Sequence, residues 1–315
     1  MPLAPIVLFV YNRPWHTKHT VEALQKCELA AESDFYIYAD GPKEDASEEV
    51  LNRIAEVRQY IHTIDGFKSI NIIESPTNKG LANSVIQGVT EVIYKYGKVI
   101  VVEDDIVTHP YFLRFMNEAL DIYDRNKKIY QIGASNIQIP IPLEYSKNHD
   151  CYLVHRGCSW GWGTWKTRWD NIDWNISDAD SFFANKRSQE KFNRGGLDMS
   201  NMLRQQLNGQ IDSWAIRWDY HMFKNKGYGL RPIQSFAYNI GMDGTGVHYS
   251  SDSAKTTQAS LAELDSYSFR LEPHIKYSKE VGQLFHDFWG VEEHLMLRTR
   301  LKRRIKSVLR KYKII

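Results

Sequence analysis

The chain has 315 residues, 43% of them hydrophobic and 25% charged, which is the balance of a globular protein with ample core. Its net charge of +2 is uneven: Arg298 to Lys313 holds nine Lys or Arg and no acid, leaving 31 basic against 38 acidic residues elsewhere. A mildly acidic body excludes a broad nucleic-acid-binding surface there, and the absence of any apolar run of about eighteen residues excludes a membrane-spanning helix.

The first half alternates strand and helix signals. Pro5 to Tyr11 is an apolar run of strand length with neither the basic lead nor the cleavage site of a signal peptide, and Asn12-Arg13-Pro14 closes it. A helix is predicted over Trp15 to Lys26, and a short strand over Phe35 to Ala39 that ends at Asp40-Gly41-Pro42. Ser47 to Ile64 has helical spacing with Ser47 as N-cap, and Ile70 to Glu74 is a third strand. Leu81 to Tyr96 is an amphipathic helix stopped by Gly97; Lys98 to Val102 is a buried strand that runs into Glu103-Asp104-Asp105; a further helix extends from Pro110 to Tyr123. Strands joined by helical crossovers predict an α/β fold, with a largely parallel sheet and helices on both faces.

Beyond residue 135 the pattern loosens. Trp160 to Trp169 is dense in Trp and Gly, helices are predicted over Met199 to Asn208 and Ile216 to Lys226, and Gly241 to Gln258 reads as a loop. The organisation expected is residues 1–135 as one half of a domain, 136–290 as its other half, and 291–315 as a basic terminal helix.

In an open α/β sheet, ligands lie outside the carboxyl ends of the strands. Three polar clusters fall at those ends: Asn12-Arg13, Asp40-Gly41 and Glu103-Asp104-Asp105. Adjacent carboxylates repel, and a divalent cation such as Mn²⁺ or Mg²⁺ removes that cost and bridges to phosphate oxygens; a solvated turn is the alternative. Arg13 suits a diphosphate, though it also suits an ordinary surface turn, and Asp40 suits a base or ribose hydroxyl or an Asx turn. Asp219, between Trp218 and Tyr220, is a carboxylate whose pKa burial would raise; His248 stands in the Gly-rich loop.

Taken in order, FVYNRP, YADGP, VIVVEDDIVTHPYFLRF, the Gly-Trp segment and WDYHMF with its following Arg-Pro resemble the N-acetylglucosaminyltransferase I type of GT-A glycosyltransferase. The chain is also similar to bacterial family-2-like transferases that open with Asn-Arg-Pro and share the stretch Asn78-Lys79-Gly80-Leu81. The likeness spans roughly residues 5 to 248. It implies a GT-A fold, an inverting transfer from a nucleotide-diphospho-sugar, UDP-linked by the same likeness, to a glycan or lipid-linked acceptor, and no nucleic-acid partner. It places Asn12, Arg13, Asp40, Glu103, Asp104 and His248 around the nucleotide-sugar. Asp105 becomes the metal ligand, Gly161 and Trp162 the wall towards the acceptor, and Asp219 the general base. Where the family has a His before the acidic strand, this chain reads Leu81-Ala82-Asn83, and its Trp-rich stretch is denser than the family's.

Leu297 to Ile315 sets Leu301, Ile305, Val308, Leu309 and Tyr312 on one helical face among Lys and Arg, the profile of an interfacial helix on anionic lipid or of a helix packed on a partner. Three unpaired-spacing cysteines fit a reducing compartment, so the expected location is the cytoplasm, at the inner membrane face. Nucleotidyltransferases also use acidic metal ligands on such a sheet, but carry a Gly-rich loop after the first strand, where this chain has Asn12-Arg13-Pro14. A binding protein that keeps a degenerate transferase fold is the non-enzymatic alternative.

Overall fold

The computed structural model describes residues 2–241, 259–264 and 266–290. His248 and the basic segment 297–315 lie outside the described residues. Among the described residues there are ten strands: β1 Ile6–Val10, β2 Asp34–Ala39, β3 Ser69–Glu74, β4 Lys98–Glu103, β5 Ile106–Thr108, β6 Ile129–Gly133, β7 Cys151–Val154, β8 Trp162–Trp165, β9 Tyr228–Pro232 and β10 Ala237–Asn239. Eight of them form one sheet in the order β3-β2-β1-β4-β8-β6-β9-β7, while β5 and β10 form a separate antiparallel pair.

The expected parallel sheet holds for β3-β2-β1-β4, whose three pairings are all parallel. Past β4 the sheet is mixed: β8 runs antiparallel to both β4 and β6, β9 parallel to β6, and β7 antiparallel to β9. The reversal is written in a four-residue strand, WGTW, whose Gly163 allows close approach; a Cβ there would stand 2.9 Å from the carbonyl of Val99. Such a strand has no periodicity long enough to read from sequence.

Alternation along β1 explains the layers. Ile6, Leu8 and Val10 point to one face, where the helices Pro14–Gln25, Glu48–Ile61 and Phe112–Tyr123 cover them. Val7 and Phe9 point to the other, covered by Leu81–Tyr96 and Trp214–Lys224. The Glu48–Ile61 helix starts as predicted, with the Ser47 hydroxyl accepting from the Val50 N–H. Leu81–Tyr96 ends at Gly97 in the left-handed conformation, φ +82°. The helix expected from Pro110 begins two residues later, at Phe112, because Pro110 and Tyr111 are held in a turn by the His109 ring and carbonyl. All three cysteines are buried and free. Among the described residues, no helix is long and apolar enough to cross a membrane.

Candidate active site

Strand order reverses beside β1: β2 leaves it on one side and β4 on the other, which opens a crevice at their carboxyl ends. Residues 11–13 leave β1 there, and Pro14 opens the following helix at its first position, where a missing N–H costs nothing. The Arg13 guanidinium turns into the crevice. Its Nη1 lies 2.8 Å from Asp105 Oδ2 and 3.6 Å from Asp104 Oδ1, with all three side chains less than one-fifth exposed.

The acidic turn is held from three directions. Thr20, about two helical turns past Arg13, donates its hydroxyl to the Asp104 carbonyl at 2.8 Å. Ile240 donates its N–H to the Asp105 carbonyl at 2.8 Å, continuing the β5–β10 pair. The Trp214 indole N–H approaches Glu103 Oε1 at 3.4 Å. Gly241 then passes directly over the ion pair: a Cβ on it would sit 2.1 Å from Asp105 Oδ2 and 2.7 Å from Arg13 Nη2. In the sequence residue 241 marks only the start of a loop, because this contact depends on Arg13 and Asp105 far along the chain.

One arginine does not neutralise three carboxylates. Burial first, and then the charge of Asp105, push the Glu103 carboxyl up to about 8 and that of Asp104 to about 7. Among the described residues, Asp105 Oδ1 is buried and accepts no hydrogen bond. An unpaired carboxylate oxygen amid surplus negative charge fits a hard divalent cation. No cluster of three or more such ligating side chains converges among the described residues, so most of the coordination shell would come from a ligand's phosphates and water, as is usual for Mg²⁺.

Asp40 departs from a ligand contact and takes the structural side of its two readings, with partners beyond its own turn. Its Oδ1 accepts from the N–H groups of Gly41 and Lys79, both at 2.9 Å, and its Oδ2 accepts from Asn78 Nδ2 at 3.0 Å and the Gly80 N–H at 3.1 Å. Four donors occupy the carboxylate, which fastens Asn78-Lys79-Gly80 to the end of β2 and orients the start of the 81–96 helix. Asn12 is half-buried in the turn beside Arg13.

Trp162 also differs from expectation. Its side chain is fully buried, with ring centroids 4.7 Å from Trp214 and 5.9 Å from Trp169, so it presents no face to an acceptor. It ties β8 to the helix whose Trp214 reaches Glu103. Gly161 adopts φ +68°, and a Cβ there would press on Phe112 at 3.0 Å, which makes it a packing position as well.

Asp219 is 5% exposed. Its Oδ1 accepts the Gly157 N–H at 2.6 Å, and desolvation pushes the carboxyl up to about 6 against the pull of Arg156 and Arg231. The elevated value matches the reading from sequence; the bond to Gly157 was not foreseen. Arg231 donates to the Gly157 carbonyl at 2.7 Å, so this residue is clamped on both sides. A second carboxylate, unremarked in the sequence, stands just before the same helix. Asp212 is exposed, 3.5 Å from Arg217, with its Oδ2 3.3 Å from the position a Gly80 Cβ would take.

No model of a known protein family matches this chain, and no curated protein matches it. Solved structures similar to parts of it include a mannosyltransferase, PcManGT from Pyrobaculum calidifontis in complex with GDP-Man and Mn²⁺, at 10% identity and a TM-score of 0.32 over 42% of this chain and 35% of that one. S. aureus TarS is similar at 12% identity and a TM-score of 0.29, over 43% of this chain and 20% of that one. The bifunctional glycosyltransferase WbbM is similar at 9% identity and a TM-score of 0.28, over 43% and 23%. The matched part is about a third or less of each solved chain. At these scores the likenesses carry no argument of their own; what the chain itself displays is a Rossmann-like α/β architecture with an acidic crevice at its switch point.

Proposed function

We propose that this protein is a metal-dependent glycosyltransferase of GT-A type that moves a sugar from a nucleotide-diphospho-sugar to a glycan or lipid-linked acceptor. The observation that carries the reading is the meeting of Arg13 with Glu103, Asp104 and Asp105 at the β1–β4 switch point, where Asp105 keeps a buried oxygen without a partner. A diphosphate seated there finds a guanidinium for its oxygens, and Asp105 would hold Mn²⁺ or Mg²⁺ against them. That cation, when bound, supplies charge neutralisation for the departing nucleotide diphosphate. Arg13 then exchanges a carboxylate for a phosphate, both being oxyanions that suit its fork. Asp104 and Glu103 face the donor's ribose and sugar in this reading.

The acceptor hydroxyl must lose its proton as the new bond to the anomeric carbon forms and the diphosphate oxygen leaves. Asp219, raised towards about 6, has the proton affinity of a general base and takes this role once the Gly157 N–H is drawn away from it. Asp212, exposed just before the same helix and beside Gly80, is its natural comparator. The basic segment 297–315, read from sequence, would bring the enzyme to anionic lipid and so to a lipid-linked acceptor.

The test is donor hydrolysis with Mn²⁺ across a panel of nucleotide sugars. Release of free sugar together with the nucleoside diphosphate supports the proposal; formation of sugar-1-phosphate and nucleoside triphosphate on adding pyrophosphate, or no product from any donor, overturns it. With an active donor in hand, Asp219→Asn should keep donor affinity and lose transfer. Normal transfer in Asp219→Asn with loss in Asp212→Asn would move the base to Asp212.

A further inference from the structure

Of the nine tryptophans, eight are buried or half-buried; Trp15 alone is exposed, at 56%. It contributes nothing to the face that its helix buries, which is made by His16, Thr17, Thr20, Val21, Ala23 and Leu24. Exposing a large ring to water forgoes the burial that normally justifies a tryptophan. Yet the ring is ordered: it lies 4.0 Å from the His19 ring at 36° and edge-on to buried His16 at 4.9 Å. His19 is itself fixed by a 2.7 Å hydrogen bond between its Nδ1 and the Trp15 carbonyl.

The helical turn that carries this ring lies at the crevice. Trp15 is two residues from Arg13, in the first turn of the helix that Thr20 ties to the Asp104 carbonyl. Arg13 reaches inward to the acidic pair, while Trp15, in the same turn at the crevice end of the helix, is exposed. A flat, pre-ordered indole face beside a polar crevice matches the apolar face of a pyranose ring, whose axial C–H groups stack on aromatics while its hydroxyls stay in water.

From this juxtaposition we infer that Trp15 is a stacking platform for a sugar ring of the acceptor, and so a specificity-determining residue. The inference rests on the transferase reading, since it takes the occupant to be the second substrate. An indole at a membrane surface is the competing use of the same ring.

Saturation-transfer NMR on the full-length chain, with trisaccharides of glucose, mannose, galactose and N-acetylglucosamine as probes, tests it without a donor. At least one should receive saturation from the wild type, with Trp15→Ala weakening that binding roughly tenfold, the scale of one aromatic contact, and Trp15→Phe retaining most of it. The melting temperature should stay nearly unchanged, because the indole is exposed and its contacts, edge-on to His16 and over His19, bury no part of the hydrophobic core. Equal binding by Trp15→Ala, or no binding of any trisaccharide to the wild type, overturns the inference. So does a Trp15→Ala variant that loses binding to phosphatidylglycerol vesicles while keeping trisaccharide binding. The donor-hydrolysis experiment fails independently of this one: a chain that binds trisaccharide through Trp15 but hydrolyses no donor keeps the platform and loses the transferase.

Discussion

Arg13 and Asp105 are 92 residues apart in sequence and 2.8 Å apart across the ends of β1 and β4. The guanidinium therefore serves as the resident counter-ion of an acidic turn that carries more charge than it can neutralise. Several consequences of that pairing can be measured.

Removing either partner should act in opposite directions on cation binding. Arg13→Ala leaves the carboxylates unopposed, so the protein should lose on the order of 2 kcal/mol of stability, less than for a fully buried pair because the crevice is partly wet. The rise in melting temperature on adding Mn²⁺ should then be larger than in the wild type, since a ligand that binds only the folded state stabilises it. Asp105→Ala should abolish the Mn²⁺-induced rise. Differential scanning calorimetry with and without Mn²⁺ checks both; a full Mn²⁺ response in Asp105→Ala would remove this residue as the metal ligand.

Gly241→Ala should damage the site although it adds one methyl group. Its Cβ would meet a carboxylate oxygen at 2.1 Å, so either the Arg13–Asp105 pair or the backbone after β10 must shift. A cost of roughly 1–3 kcal/mol is expected, together with loss of Mn²⁺-dependent donor binding. Gly88→Ala, whose Cβ would press on the Phe9 ring at 2.9 Å inside the core, is the control: comparable loss of stability with the donor site intact. Isothermal titration with an active donor separates the two, and equal donor affinity in both variants would contradict the account of Gly241.

Asp219 makes stability depend on pH in a defined sense. Its carboxyl stands at about 6 in the folded chain against an ordinary 3.8, so the folded state holds the proton more tightly than the unfolded one. Its contribution to stability is therefore complete below about 4 and is lost as pH rises towards 6, leaving a penalty at neutral pH of at most about 3 kcal/mol. Asp219→Asn keeps an oxygen for the Gly157 N–H and has no such titration. Denaturant unfolding at pH 5.0 and 7.5 should thus find the variant gaining on the wild type as pH rises. A difference that does not change between the two pH values would show that the carboxyl is not elevated.

The parts of this fold legible in the sequence are those with their own periodicity. β1 and β4 are apolar runs, and the helices Glu48–Ile61 and Leu81–Tyr96 carry a cap, a stop and spacing of three and four. The gathering of Arg13 with the acidic triplet followed from the rule that strand ends meet, with no side-chain information. What escaped was whatever depends on a partner far along the chain. Asp40 looks like a ligand contact until Asn78, Lys79 and Gly80 fold back onto it. The density of Trp around residue 162 looks like a binding wall until Trp169 and Trp214 enclose it. Three-residue strands such as β5 and β10 have too few positions to show any alternation.

The place of β8 in the sheet bears on how the protein is made. β6 belongs to the first 135 residues, yet it joins β4 only through β8, which comes about thirty residues later, and its other neighbour, β9, is later still. An emerging chain that has reached β6 has no partner to offer it and leaves one side of β4 open. The crevice likewise waits for Trp214 and Ile240 before its acidic turn is fully held. Ribosome-bound chains truncated at 135 should therefore be protease-sensitive and prone to edge-to-edge association, and protection should arrive only when residues through β10 have left the exit tunnel.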